Sequence, residues 1–239
     1  MAKRPIFLSE TSGFRSELID FEFFSGFSMS QKQKSISSLH KNILKKYPNK
    51  KILEVSTKSL NRCGIDASAF NLMITMKSGK HYSVEQVFQG SKTFEKSGNQ
   101  ISLLDKLSSK DMKKKVNALH RVEKLIGFNS FGQEFPLNPS TFFYNWLYIN
   151  ALVKNKELSK KITQYDVFTD IEFNPNNSVN CQAEACSIFV FLKRHVLLQQ
   201  ALKSKESFLK IVYPNYSSYE IESSDLKRSG EQISLFNGL

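Results

Sequence analysis

Apolar and polar residues repeat along this chain with two periods, and the expected elements follow from where each period holds. Phe21-Glu22-Phe23-Phe24 ahead of Ser25-Gly26 reads as a short aromatic strand ending in a turn. Ile36, Leu39, Ile43 and Leu44 then recur at i, i+3, i+7 and i+8, which predicts a helix capped by Ser30 and stopped after Tyr47 by Pro48-Asn49. Its other face carries Lys32, Lys34, Lys41, Lys45 and Lys46. Ile52 to Ser56 and Asn71 to Lys77 read as strands, the second closed by a turn at Ser78-Gly79. Ser83 with Gln86 three residues on is a capping box, so a helix is expected from Val84 to about Lys96, with Gly98 as its stop. Further helices are expected over about 109–126, 141–153, 156–165 and 183–200, and Pro136, Pro139 and Pro175 fall between elements. The sum is an α+β fold, a mostly helical single domain with a small β-sheet over residues 1–215. A polar tail, poor in pattern, follows over 216–239.

The chain has 239 residues, 40% hydrophobic and 12% aromatic, which is enough apolar surface for a sizeable core and excludes a disordered chain. Lys and Arg total 34 against 22 Asp and Glu, and the net charge of +12 favours a polyanionic partner. Arginine occurs only at Arg4, Arg15, Arg62, Arg121, Arg194 and Arg228. A Lys-rich, Arg-poor chain reads as a generally cationic surface rather than a reader of base edges, and a genome favouring Lys codons accounts for it equally well. Cys63, Cys181 and Cys186 form no CxxC pair, so neither a disulfide framework nor a zinc knuckle is suggested, and a reducing cytoplasm is the expected compartment. His40, His81, His120 and His195 lie far apart and make no HxxxH or HExxH pattern; no metal or cofactor is expected. The N-terminal residues hold too few apolar positions for a signal peptide, and the longest apolar run, Cys186 to Leu192, is far short of the ~20 residues of a membrane span.

The predicted helix at Val84 carries the chain's most suggestive polar set. At the helical repeat, Glu85, Gln89 and Lys92 fall within about 60° of one another, beside an apolar stripe of Val84, Val87, Phe88 and Phe94. A carboxylate, an amide and an amine on one face suit proton transfer, substrate orientation and attack on a sugar carbon. A solvated polar face has the same pattern. In a helix running to Lys96 the dipole would favour Glu85 as carboxylate and Lys92 as ammonium, so a nucleophilic Lys92 would need burial or a nearby cation.

The string Tyr82-Ser83-Val84-Glu85-Gln86-Val87-Phe88-Gln89-Gly90-Ser91-Lys92-Thr93-Phe94, preceded by Ala69-Phe70-Asn71-Leu72, resembles the NADAR family in its upstream aromatic-plus-Asn element and its E-x-x-x-Q-x-x-K pattern. Phe27 to Ile36, Phe143 to Leu152, Tyr165 to Pro175 and Asn180-Cys181-Gln182-Ala183 look like the branch of NADAR antitoxins encoded beside DarT-type DNA ADP-ribosyltransferase toxins. The likeness covers roughly residues 3 to 213. It departs from the broader family at Asn174-Pro175-Asn176-Asn177-Ser178, where other members have a glycine-containing approach to the final helix. The resemblance implies a NADAR-like fold and an N-glycosidase that removes ADP-ribose from guanine in DNA. Its partners would be ADP-ribosylated DNA and a cognate DarT-type toxin, with ADP-ribose as product.

On the same basis Glu85 and Lys92 are the catalytic candidates, and Asn71, Gln89, Phe70, Asp170 and Trp146 the substrate-binding ones. An Asn entering a strand also closes turns, Asp170 with Glu172 can instead stay solvated, and Trp146 and Tyr144 fit core packing as well as base stacking. Three other functions stand beside this one: a non-catalytic nucleic-acid-binding module, an N-glycosidase acting on a small ribosylated metabolite, and an antitoxin that holds its toxin stoichiometrically.

Overall fold

The structure is a computed structural model and describes residues 1–216. All of the expected tail except Tyr216 therefore lies outside the described residues. From the N-terminus the chain forms β1 (Ala2–Glu10), β2 (Gly13–Phe21), α1 (Met29–Lys46), β3 (Ile52–Glu54), α2 (Arg62–Ala67), β4 (Met73–Thr75), β5 (His81–Ser83), α3 (Val84–Gly90) and β6 (Lys92–Phe94). It continues through β7 (Gly98–Asn99), α4 (Ser109–Leu119), β8 (Leu125–Ser130), β9 (Gln133–Phe135), α5 (Phe142–Lys154), α6 (Lys156–Ile162), β10 (Val167–Thr169), α7 (Gln182–Arg194), α8 (Leu198–Ala201) and α9 (Lys205–Val212). The fold is α+β with more helix than strand, and its strands are distributed over three sheets. The described residues divide into two compact units, one of residues 1–71 and 152–200, the other of residues 72–151 and 201–216.

The first unit is organised on a sheet of order β2-β1-β10-β3, antiparallel except for the β10–β3 pair. Its long β1–β2 hairpin has no counterpart in the sequence reading, and of the aromatic segment expected as a strand only Phe21 belongs to β2. Ile6 and Leu8 of β1, Ile19 and Phe21 of β2 and Val167 of β10 share one face, where Ile36, Leu39 and Ile43 of α1 cover them. These are the periodic residues that predicted the helix; Leu44 alone among them points outward. The cap is Ser28 rather than Ser30, its hydroxyl accepting from the Gln31 N–H.

On the opposite face the Phe14 ring meets Phe191 of α7 at 5.7 Å, and α7 packs against β1 and β10. β1 is thus covered on both sides, with Ile6 to Ser9 all buried. Each large apolar side chain so removed from water contributes about 1.5–3 kcal/mol. The parallel pair sets Glu54 at the end of β3 opposite Thr169 at the end of β10, with Asp170 next in the chain. Polar groups thereby gather at the C-terminal ends of the two parallel strands, the end of such sheets where ligands are commonly bound.

In the second unit β4 and β5 form a hairpin that pairs Ile74 with Tyr82, and its turn passes through Gly79 at φ +80°. The hairpin leads into α3, whose N-terminus is the predicted capping box: the Ser83 hydroxyl accepts from the Gln86 N–H, and the Gln86 side chain accepts from the Ser83 N–H. The helix expected to reach Lys96 stops at Gly90, and Lys92–Phe94 is the strand β6. Pairing with β8 ends it. The Ser91 carbonyl accepts from the Asn129 N–H at 2.7 Å and from the Asn99 side-chain amide at 3.0 Å, and Lys92 lies opposite Phe128 in the ladder. Those bonds replace the helical ones that residues 91–96 would otherwise make.

The helix expected over 109–126 is likewise shorter. α4 ends at Leu119 with His120 as its C-cap, and the residues from Leu125 form β8 in the sheet β7-β6-β8-β9. Phe88 of α3, Phe128 of β8 and Phe143 of α5 form one aromatic cluster, with ring centroids 4.9 to 5.9 Å apart. It clamps α3 against the sheet that carries Lys92.

Gly64 of α2 gives a direct test of the packing beneath Glu54. A Cβ there would lie 1.9 Å from the Glu54 carbonyl oxygen and 2.5 Å from Ser59 Oγ. Gly64→Ala is expected to cost about 3 kcal/mol, seen as a lower midpoint in urea denaturation. Gly127→Ala in β8, whose Cβ would meet its nearest neighbour at 3.5 Å, should change the midpoint little or raise it.

Candidate active site

Glu85 and Gln89 are one turn apart on α3, and the Gln89 Nε2 amide donates to Glu85 Oε1 at 3.0 Å. Both are buried, Glu85 at 5% exposure and Gln89 at 4%. Because the carboxylate fixes which end of the Gln89 amide faces it, Oε1 is turned elsewhere, buried and without a donor among the described residues. Lys92 joins them from β6 rather than from the helix, so the C-terminal dipole argued for a longer helix does not act on it as expected. Lys92 is 8% exposed, and its ammonium sits 4.9 Å from the centre of the Phe88 ring.

Lys113 of α4 and His120 at its C-terminal cap complete the group. Lys113 Nζ pairs with Glu85 Oε1 at 3.3 Å, and His120 Nε2 lies 3.0 Å from Lys92 Nζ. The His120 ring stands edge-on to Phe94 at 5.0 Å. Neither residue stands in a local motif that points to a role. A signal for both existed, since positions seven apart fall on one face of a helix, but nothing local connects that face with β6.

The surroundings set the proton affinity of Lys92. Its pKa falls from 10.5 to about 8: burial is the largest influence, the Glu85 carboxylate works in the opposite direction, and Lys113 adds to the lowering. About a tenth of Lys92 is consequently the free amine at pH 7, against well under a thousandth for a lysine at its ordinary value, and the free amine is the form that attacks as a nucleophile. His120 is also held below its ordinary value, by burial first and by Lys92 second.

The remaining polar candidates belong mainly to the first unit. Asp170 is 8% exposed, which excludes the solvated alternative for it, whereas Glu172 is exposed and pairs with Lys32 at 2.9 Å. Asp170 Oδ2 accepts from Gln182 Nε2 at 3.0 Å, and Gln182 Oε1 accepts from the Ala69 N–H at 2.8 Å. Three distant stretches of sequence are tied together by that chain of bonds, and it anchors the turn bearing Phe70 and Asn71. Asn71 is exposed; its side-chain amide donates to the Ile65 carbonyl at 2.9 Å and closes the turn after α2, leaving Oδ1 directed to no protein group among the described residues.

Beside Asp170 lies a second carboxyl that the sequence reading did not single out. Glu54 accepts from Ser56 Oγ, Thr169 Oγ1 and the Ile171 N–H at 2.6 to 2.8 Å. Burial raises the proton affinity of both Glu54 and Asp170, and the charge of Glu54 adds to the rise at Asp170. His40 meets Thr169 Oγ1 at 2.9 Å, and burial keeps it neutral, with a pKa of about 4.

Trp146 is in the second unit, inside an aromatic core. Its ring is edge-on to Phe208 at 5.3 Å and 7% exposed. Tyr144 stacks beside Tyr148 at 6.0 Å and edge-on to Phe88 at 5.0 Å. Among the described residues no group of three or more His, Cys, Asp or Glu is arranged to hold a metal ion, and no helix is long and apolar enough to cross a membrane.

Over residues 2–222 the chain matches the family model described as DarT1-associated NADAR antitoxin. No curated protein matches it.

The cost of holding Lys92 out of water is measurable. The folded chain binds this proton less tightly than the unfolded one, so stability rises as pH increases from about 8 to 10.5, and the full penalty is present below 8. Lys92→Met, which keeps the side-chain volume without the charge, is expected to stabilise the protein at pH 7 by about 3 kcal/mol. Denaturation at a series of pH values should show that gain shrinking above pH 8.

Proposed function

The chain belongs to the DarT1-associated NADAR antitoxin family, and we propose that it neutralises its toxin by hydrolysing the N-glycosidic bond between ADP-ribose and guanine in DNA, with Lys92 as nucleophile and Glu85 as proton carrier. The carrying observation is a buried lysine whose ammonium is destabilised by its surroundings, within the field of a buried carboxylate. The net charge of +12 favours a polyanionic substrate over a small metabolite.

The bond to be broken joins the anomeric carbon of the distal ribose to the exocyclic nitrogen of the base. Opening of the sugar ring, with a proton taken from water by its ring oxygen and given back when the released sugar closes again, leaves an iminium between that carbon and the base nitrogen. Lys92 Nζ adds to the carbon; the Glu85 carboxylate takes the proton that Nζ then sheds and delivers it to the base nitrogen, which departs as the lone pair of Nζ forms an iminium with the carbon. Water adds to that iminium, and cleavage of the bond between carbon and Nζ releases ADP-ribose and restores the lysine. Gln89 Oε1, buried and without a donor among the described residues, suits a sugar hydroxyl or a base N–H as its partner. In the first unit, Asn71 Oδ1 and Phe70 are the proposed contacts to the ribose or diphosphate, on a turn anchored through Gln182 and Asp170. Trp146, packed in its core, is the weakest member of the proposed binding set.

The decisive measurement is the mass of a guanine-ADP-ribosylated oligonucleotide after incubation with the protein. The expected result is the loss of one ADP-ribosyl group; an unchanged oligonucleotide together with turnover of a ribosylated metabolite would point to the metabolite enzyme instead. Borohydride during turnover should trap a covalent adduct on Lys92, and its absence would leave Lys92 only an orienting cation. Lys92→Ala is expected to remove activity with the fold intact, and Glu85→Gln to slow cleavage by about 10²–10⁴-fold. In cells, rescue from the toxin by Lys92→Ala would mean neutralisation by binding alone.

A further inference from the structure

A buried amine that must lose and regain a proton needs a route to solvent, and Lys92 has few groups to supply one. The Glu85 carboxylate is buried and already engaged by Gln89 and Lys113. His120 differs from every other neighbour: Nε2 is 3.0 Å from Lys92 Nζ, while the residue as a whole is exposed and Nδ1 bonds no protein group among the described residues. It caps the C-terminal end of α4, its N–H donating to the Val116 carbonyl. Carbonyls facing outward at that end favour an imidazolium formed there.

We propose that His120 is the base that takes the proton from Lys92 and passes it to solvent, making the amine available as nucleophile. The inference rests on Lys92 acting as nucleophile, as argued above. Before reaction the ammonium donates to Nε2, which makes the neutral imidazole the tautomer with its proton on Nδ1, toward water. Nε2–H forms as Nζ–H breaks, the Nδ1 proton passes to water, and the imidazole is neutral again with the free amine beside it. When water hydrolyses the iminium, Nζ regains its proton by the reverse path. The charged groups acting on the pair are Glu85 from α3, which favours the ammonium, and Lys113 from α4, which opposes it. Burial brings the proton affinity of Lys92 down toward that of an imidazole, while that of His120 is lowered in turn, so the imidazolium is a transient carrier that passes its proton on rather than a resting state.

The test is single-turnover cleavage of a guanine-ADP-ribosylated oligonucleotide by His120→Gln and His120→Ala. Glutamine can accept the Lys92 hydrogen bond but cannot carry its proton. His120→Gln is expected to be slowed about 10²-fold at pH 7 with little change in substrate affinity. The loss should narrow above about pH 8, where solvent alone leaves Lys92 neutral. Added imidazole should restore part of the activity of His120→Ala. A rate for His120→Gln within about threefold of the parent at pH 7, while Lys92→Ala is inactive, would overturn the role of His120 and leave that of Lys92 standing. A loss that is the same at every pH and is not rescued by imidazole would also overturn it, since that is the signature of positioning alone. Full activity of Lys92→Ala would instead remove the nucleophile on which both proposals rest.

Discussion

Keeping one lysine out of water is the constraint on which the second unit's chemistry depends. Burial destabilises the ammonium, and the fold sustains the cost because β6 is fixed by ladder bonds to β8 while Phe88, Phe128 and Phe143 clamp the helix beside it. Glu85 moderates the cost without cancelling it, since its carboxylate is shared with Gln89 and Lys113. A surface lysine would remain protonated and inert as a nucleophile at neutral pH; a lysine in an exclusive ion pair would be held as the ammonium. Lys92 lies between those limits because one partial attraction competes with desolvation and one cation.

The first unit uses the same physics on charges of the other sign. Glu54 and Asp170 are buried near one another, and every acceptor contact they make is to a neutral donor, including Ser56, Thr169 and Gln182 and the backbone N–H groups of Ile171 and Glu172. Neutral donors satisfy hydrogen bonding without neutralising charge, so the carboxyls hold their protons more tightly than carboxylates in water. Gln182 turns this buried group into a support: one end of its amide holds Asp170, and the other holds the backbone ahead of Phe70. The family segments Ala69-Phe70-Asn71, Asp170 and Gln182, far apart in the chain, are thus parts of one hydrogen-bonded assembly.

Of the fold, the long helices were the most legible. Ile36, Leu39 and Ile43 announced α1, and Ser83 with Gln86 announced the start of α3, because each signal lies within a few residues and reports local physics. The β1–β2 hairpin was not legible: β1 is buried on both faces, so Ile6-Phe7-Leu8 reads as a continuous apolar run rather than an alternation. The ends of α3 and α4 were misjudged for a related reason. Residues 91–94 and 125–130 carry patterns compatible with helix, and they become strands because each is the other's partner.

The sequence by itself determined that Glu85 and Gln89 share a helix face, that Lys92 follows close behind them, and that the chain resembles the NADAR antitoxins. Those facts depend on spacing and residue type, which are local. Only the tertiary structure decided that Lys92 is buried, that Lys113 and His120 are its neighbours, and that Asp170 is bonded to Gln182 rather than open to water. The proton affinity of a side chain is set by everything within several ångströms of it, and those neighbours come from elements whose meeting no window of sequence contains.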